Sequence, residues 1–180
     1  RDIDYGIYPY TTSSNTIGAY APIGAGIPGR KLNKSIGIMK AYSSCVGDGP
    51  FTTELAMTEE EKHLLREAGH EYGAATGRPR RVGWFDCVAT RYGCEMQGAT
   101  EVAMTNLDVL GYLDEIPVCV AYELNGERVD HFPVTPKLEQ CKPIYVKLPG
   151  WKCDTRGIKN FDELPENARH YIEFLSLIHI

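Results

Sequence analysis

Residues 118–132, with the sequence VCVAYELNGERVDHF, contain the clearest strand and the best hairpin turn in the chain. The first five of them are rich in β-branched and aromatic side chains, which favour strands. Asn125-Gly126 is typical of a two-residue turn because both residues tolerate a positive φ. We therefore predict an antiparallel hairpin near 118–132, in which residues 128–132 form the returning strand.

Further strands are predicted on both sides of this hairpin. Short apolar runs indicate strands at 102–104 and 143–146. The run at 36–42, IGIMKAY, is apolar enough to predict a buried strand, and the glycine-rich residues 47–50 end it.

Three helices are predicted from capping signals and apolar spacing. The first begins at Thr58, which forms a capping-box pattern with Glu61. The second is predicted over about 86–96, and the third opens at Leu164-Pro165-Glu166, where proline suits the first turn. Strands that alternate with helices favour an α/β fold with one antiparallel excursion. For the first of these helices, the predicted apolar stripe consists of Leu64, Leu65 and Ala68.

Composition excludes several classes of function. The chain has 180 residues, 43% of them hydrophobic and 24% charged, which is typical of a globular domain. Its net charge of -5 argues against nucleic-acid binding, and it has no apolar run long enough to span a membrane. The six cysteines are scattered, with no C-x-x-C pair, and the five histidines form no metal-ligand pattern. We expect reduced thiols in a cytoplasmic protein without a metal site of its own.

An arginine-rich loop at 73–81, GAATGRPRR, is the strongest candidate site in the sequence. Glycine permits unusual dihedrals there, proline stiffens the backbone, and the arginine fork suits phosphate and carboxylate groups. An acidic protein that concentrates positive charge in this way favours an anion site. A solvated basic loop explains the residues alone equally well.

Two other segments are weaker candidates. Residues 10–16, YTTSSNT, offer hydroxyl and amide groups that can bind phosphate, although such residues commonly form turns. Asn106-Leu107-Asp108 follows a predicted strand, and a carboxylate at a strand end can accept hydrogen bonds from guanine. The usual explanation of that pattern is a loop.

Taken together and in order, these segments resemble adenylosuccinate synthetase. The resemblance covers nearly the whole chain as far as residue 174, and the TGRPRRVGW string is its most specific part. The matching segments are 8–15 (YPYTTSSN), 40–42 (KAY), 46–51 (VGDGPF), 53–55 (TEL), 76–86 (TGRPRRVGWFD), 107–110 (LDVL), 119–122 (CVAY), 148–151 (LPGW) and 164–168 (LPENA).

The resemblance implies a mostly parallel central sheet flanked by helices, in a synthetase fold related to P-loop GTPases whose N-terminal part is missing here. It also implies a reaction in which GTP phosphorylates the 6-oxygen of IMP and L-aspartate then displaces the phosphate. GTP is the co-substrate, Mg²⁺ is the cofactor, and a homodimer is expected.

Site residues follow from the same resemblance, position by position. Thr12, Val46 and Arg78 are expected to contact IMP, and Asn106, Leu107 and Asp108 to bind guanine. The loop that captures aspartate is expected to consist of Ala74, Ala75, Thr76, Gly77, Arg78, Pro79 and Arg80, with Arg80 also serving GTP. The alanines replace frequent threonines of the family, and Asn106 replaces a frequent lysine.

The ends of the chain suggest a truncated sequence. We expect residues 1–174 to be the C-terminal portion of one synthetase domain. Residues 175–180 are predicted to be a non-native tail, because a common transposase-adapter DNA sequence translates to such residues; a natural apolar helix end is the alternative. The family's phosphate loop, catalytic aspartate, catalytic histidine and metal ligands are expected upstream, so the fragment alone is predicted to be inactive.

Two other functions fit parts of the sequence. If the protein is a nucleotide-binding module without catalysis, it should bind IMP or GTP but form no adenylosuccinate. The substitutions at Ala74, Ala75 and Asn106 support this alternative. If the protein is instead an interaction domain whose arginine loop binds an acidic partner, it should have no affinity for nucleotides. Arg78, Arg80 and Asp108 together favour the enzyme, because each is expected to serve a different ligand.

Overall fold

The computed structural model describes residues 4–11, 15, 17–54 and 56–179, with side chains as far as residue 176. Its fold is mixed α/β, as predicted, with parallel strand pairs and flanking helices. The strands are β1 (Ile36–Lys40), β2 (Ser43–Cys45), β3 (Arg81–Gly83), β4 (Phe85–Asp86), β5 (Glu101–Thr105), β6 (Glu115–Leu124), β7 (Glu127–Val129) and β8 (Lys142–Pro149). The helices are α1 (Ala21–Gly24), α2 (Glu59–Gly69), α3 (Cys87–Gln97), α4 (Thr135–Leu138) and α5 (Glu166–His179), with 3₁₀ turns at Gly18–Tyr20, Leu107–Leu110 and Phe161–Glu163.

Strand β6 is the centre of the largest sheet. Strand β8 pairs antiparallel along nearly the whole of one edge of β6, while β4 pairs parallel and β7 antiparallel with the other edge. The predicted hairpin is confirmed, with Asn125 and Gly126 both at positive φ. The returning strand ends at Val129, earlier than predicted, and Phe132 stacks on Tyr92 of α3 instead.

Strands β1 and β5 form a second, parallel pair, in which Lys40 is opposite Thr105. The prediction that the first of these strands is buried was wrong, because the side chain of Ile38 is 78% exposed. Side chains alternate along a strand, so Met39 packs against the core while Ile36 and Ile38 face the other way. The second face is therefore exposed at Ile36 and Ile38.

The main core lies between these sheets and the helices. Tyr171 of α5 is fully buried, packs edge-on against Trp151, and donates a hydrogen bond of 2.6 Å to the carbonyl of Ala41. That bond fixes the point where the chain leaves β1. Leu175 is also buried in this core, and the division of the chain at residue 174 stays a prediction.

The helix boundaries follow the capping signals. Thr58 and Glu61 form the predicted reciprocal capping box of α2, and the helix ends at Gly69 with His70 in the left-handed region. The apolar stripe is narrower than predicted, because Leu65 is buried whereas Leu64 and Ala68 are exposed. Within the described part of the chain, no helix is long and apolar enough to cross a membrane.

Helix α3 is held by a buried carboxylate. One oxygen of Asp86 accepts a hydrogen bond of 3.0 Å from the backbone N–H of Ala89, which caps the helix, and the other accepts 2.7 Å from the hydroxyl of Tyr122 on β6. Burial raises the pKa of Asp86, and these hydrogen bonds act against that rise.

We expect Asp86→Ala to lower the free energy of unfolding by about 2–4 kcal/mol, because it removes a helix cap and leaves the buried hydroxyl of Tyr122 unpaired. Chemical denaturation of the chain measures this. Thr58→Ala, which removes the exposed cap of α2, is the control and should cost only about 1 kcal/mol. An equal decrease in the free energy of unfolding for the two substitutions would contradict the role of Asp86 as a buried helix cap that also pairs with Tyr122.

Candidate functional site

The site begins where the parallel strands β1 and β5 end. The backbone N–H of Ala41 donates to the carbonyl of Thr105 at 2.8 Å, so the segments that follow the two strands leave the sheet side by side. One segment carries Tyr42, and the other carries Asn106, which adopts a positive φ of 60° before the 3₁₀ turn Leu107–Leu110. Ligands of α/β sheets bind at this carboxyl edge.

A buried carboxylate, Glu71, joins these segments to the arginine loop. Its side chain is 1% exposed. One oxygen accepts hydrogen bonds from the ammonium of Lys40 and the hydroxyl of Tyr42, both at 2.5 Å, and the other accepts from Nη1 of Arg80 at 3.1 Å. The hydroxyl of Tyr42 in turn accepts a bond of 3.4 Å from the amide of Asn106. We call these five residues the Glu71 network.

The hydrogen bonds of this network stabilise the ionised form of Glu71. Burial acts to raise the pKa of Glu71, but hydrogen bonds from Lys40, Tyr42 and Arg80 outweigh it and hold the pKa below its usual value of 4.5. Burial and the neighbouring carboxylate raise the pKa of Tyr42, so its hydroxyl keeps its proton. Glu71 is therefore an ionised hydrogen-bond acceptor at neutral pH.

The arginine loop is a closed turn on the surface. The backbone N–H of Gly73 donates to the carbonyl of Arg78, and that of Gly77 to the carbonyl of Gly73, both at 2.8 Å. Gly77 has a positive φ of 64°, which a residue with a side chain adopts only under strain. Residues 74–79 are exposed, so the loop presents the guanidinium of Arg78 to solvent.

The three arginines of the loop have different surroundings. Arg78 has no side-chain hydrogen bond or ion pair to another described residue, whereas Arg80 binds Glu71. Arg81 binds Glu54 through two nitrogens at 2.8 and 2.6 Å. Arg81 therefore has a structural role, and the anion-binding capacity lies with Arg78 and the remaining donors of Arg80.

Arg81 also holds the loop that carries Val46. Its Nη1 donates to the carbonyls of Gly47 and Gly49 at 3.2 and 2.9 Å. Val46, at the start of this loop, is 74% exposed. Thr12 lies outside the described residues.

The turn that carries Asp108 lines a separate cleft of about 370 Å³. The carboxylate of Asp108 is exposed and forms no hydrogen bond or ion pair with another described residue, while the backbone carbonyl accepts from the N–H of Gly111 at 3.1 Å. Leu107 is half-buried and packs against the core. Arg156 also lines this cleft and is paired with Asp154 through nitrogen–oxygen contacts of 2.8–3.0 Å.

The predicted site residues are thus partly brought together. Arg80 and Asn106 share the Glu71 network, and Asp108 follows Asn106 by two residues on the same turn. Arg78 and Val46 lie on neighbouring loops anchored by Arg80 and Arg81. Sequence reasoning assigned no role to Lys40, Tyr42, Glu54 or Glu71, and it placed Arg81 in the candidate anion site, whereas the structure pairs Arg81 with Glu54.

A family model for adenylosuccinate synthetase matches residues 1–179. The chain belongs to the adenylosuccinate synthetase family. Among solved structures it is similar to fully ligated adenylosuccinate synthetase from Plasmodium falciparum, with 40% sequence identity and a TM-score of 0.91. The match covers 99% of this chain and 43% of that one, so the chain spans less than half the length of this relative. The predicted family membership and fold are confirmed.

Carboxylate, imidazole and thiol groups are the side chains that hold metal ions in proteins. In the part of the chain that the structure describes, no three His, Cys, Asp or Glu side chains converge closely enough to hold a metal ion.

We expect Glu71→Gln to lower the free energy of unfolding at neutral pH by about 1–3 kcal/mol, because a charge-assisted acceptor is lost. Since the folded pKa of Glu71 is depressed, its contribution is complete above 4.5 and is lost as the pH falls through the folded value. The difference between wild type and variant should therefore shrink in acid, as measured by denaturation across this range.

Glu59→Gln is the matched control, because Glu59 pairs with Lys62 at 2.7 Å but is itself exposed. Its effect on stability should be small at every pH, as for other exposed ion pairs. A pH-independent effect of Glu71→Gln would contradict the account of the network.

Proposed function

We propose that the protein containing this chain ligates L-aspartate to IMP, with GTP as phosphoryl donor, and releases adenylosuccinate, GDP and phosphate in the AMP branch of purine biosynthesis. Family membership supports this reaction class. The observation that carries it for this chain is the Glu71 network, because it joins Arg80 of the exposed arginine loop to Asn106 of the turn with a free carboxylate.

The arginine loop would capture aspartate. An unpaired guanidinium on a closed, exposed turn can form two parallel hydrogen bonds with a carboxylate, which is the group that distinguishes aspartate from a simple amine. We assign this role to Arg78, which would also reach the IMP ribose, and to the free donors of Arg80. Residues 74–80 would form the loop that closes over the amino acid.

The turn at 106–108 would read the base of GTP. The side chain of Asp108 is exposed and forms no hydrogen bond to another described residue, so its two carboxylate oxygens can accept from the ring N–H and amino group of guanine. Adenine offers no such pair of donors on that edge, which gives a physical reason for GTP rather than ATP. Val46 would contact the IMP ribose through its backbone, and Thr12 the IMP phosphate.

Other parts of the reaction are assigned outside these residues. The family resemblance implies that the phosphate-cradling loop, the catalytic aspartate and histidine, and the Mg²⁺ ligands match positions that the 180 residues do not contain. We therefore propose that the chain supplies recognition of aspartate and guanine, and that the chain by itself does not turn over. A cytoplasmic homodimer is proposed on the same resemblance.

The test is an assay of the complete protein with IMP, GTP and aspartate, following adenylosuccinate. We expect turnover by the complete protein and none by the 180-residue chain. In Arg78→Ala, the KM for aspartate should rise by about 10- to 100-fold, as for the loss of a hydrogen bond to a charged group, and the KM for GTP should change far less.

Arg128→Ala is the matched control, because Arg128 is an exposed arginine on the β6–β7 hairpin. It should leave the KM for aspartate unchanged. Binding of IMP or GTP by the complete protein without product would support a binding module instead, and no nucleotide affinity at all would support an interaction domain.

A further inference from the structure

The Glu71 carboxylate is buried and held by several partners at once. Both of its oxygens are engaged, and its side chain is 1% exposed. Displacing it would leave a buried charge unpaired, which is costly. Its hydrogen bonds therefore transmit a change at one partner to the others, since bonds in a chain polarise one another at low dielectric.

Arg80 connects this carboxylate to the surface. Its backbone is fixed on both sides, because its N–H donates to the carbonyl of Glu71 at 2.8 Å and its carbonyl accepts from Nε of Arg66 at 2.9 Å. Its side chain is 33% exposed and uses only Nη1 on Glu71. The other guanidinium donors remain available to a carboxylate ligand on the solvent side.

Tyr42 is the link on the other side. Its hydroxyl donates to Glu71 at 2.5 Å and accepts from Asn106 at 3.4 Å, so it is the described bridge between Glu71 and the 106–108 turn. The second bond is long, which leaves room for it to shorten. Asn106 is two residues before Asp108 and holds the positive φ with which the turn begins.

We propose that Glu71 and Tyr42 are positioning residues that couple the carboxylate site at Arg80 to the base site at Asp108, so that aspartate and GTP strengthen each other's binding. A ligand carboxylate bound to Arg80 competes with Glu71 for the positive charge of the guanidinium, so the bond between Arg80 and Glu71 weakens. Glu71 then draws the hydroxyl proton of Tyr42 more strongly, and the oxygen of Tyr42 becomes a better acceptor for Asn106. The turn is thereby held in the conformation that presents Asp108. This inference rests on the proposed function.

Tyr42→Phe tests the coupling, because it removes one hydroxyl and leaves Arg80 on Glu71. The dissociation constant of a non-hydrolysable GTP analogue is measured by calorimetry on the complete protein with IMP, with and without saturating aspartate. In wild type we expect saturating aspartate to lower the dissociation constant of the analogue by about 5-fold or more, which is in the usual range of coupling between sites. In Tyr42→Phe this factor should fall close to one, while the analogue alone binds within about 3-fold of wild type.

Tyr122→Phe is the matched control, because Tyr122 is also a buried tyrosine that donates to a buried carboxylate, Asp86. It should keep the wild-type coupling factor despite a similar loss of stability.

Three results would overturn the inference: wild type without coupling, Tyr42→Phe with the wild-type factor, or an equal loss in Tyr122→Phe. If the complete protein binds neither ligand, the proposed function itself fails. If it binds both without coupling, only this inference fails.

Discussion

The ion pair between the buried Glu71 and Arg80 is the interaction on which the site depends. A carboxylate with 1% exposure is stable in a protein only when donors surround it, and here they come from the end of β1, from Tyr42 and from the arginine loop. The pair therefore fixes where the loop leaves the body of the protein, and it leaves the outer part of the loop exposed.

The Glu71 network joins the two segments for which we propose recognition of different ligands. On one side of the Glu71 network, the loop presents the planar fork of Arg78, which suits a carboxylate. On the other side, the turn after β5 presents the carboxylate of Asp108, which suits a base with two adjacent donors.

Much of the fold could be predicted from local signals. The Asn125-Gly126 turn and the Thr58 capping box are decided by a few adjacent residues, and both predictions were confirmed. The burial of residues 36–42 could not be predicted from apolarity, because which face of a strand is covered depends on the layers that pack on it. The exposed character of the arginine loop followed from its composition, but the separate roles of its arginines did not.

Glu71 itself has no signal in the sequence. It is a single acidic residue between a surface helix and a glycine, and its partners Lys40, Tyr42 and Arg80 are brought to it only by the parallel pairing of β1 and β5 and by the closed loop. Glutamate is mostly exposed in proteins, so a reading of one sequence places it on the surface.

The most direct test of the account is the nucleotide preference of Asp108→Asn in the complete protein. Asparagine offers one acceptor and one donor, which matches xanthine, where an oxygen replaces the amino group of guanine. The account predicts that the ratio of kcat/KM for XTP to that for GTP rises from below one in wild type to above one in the variant. A variant that still prefers GTP, or that loses activity with both nucleotides equally, would contradict the assignment of this turn to the base.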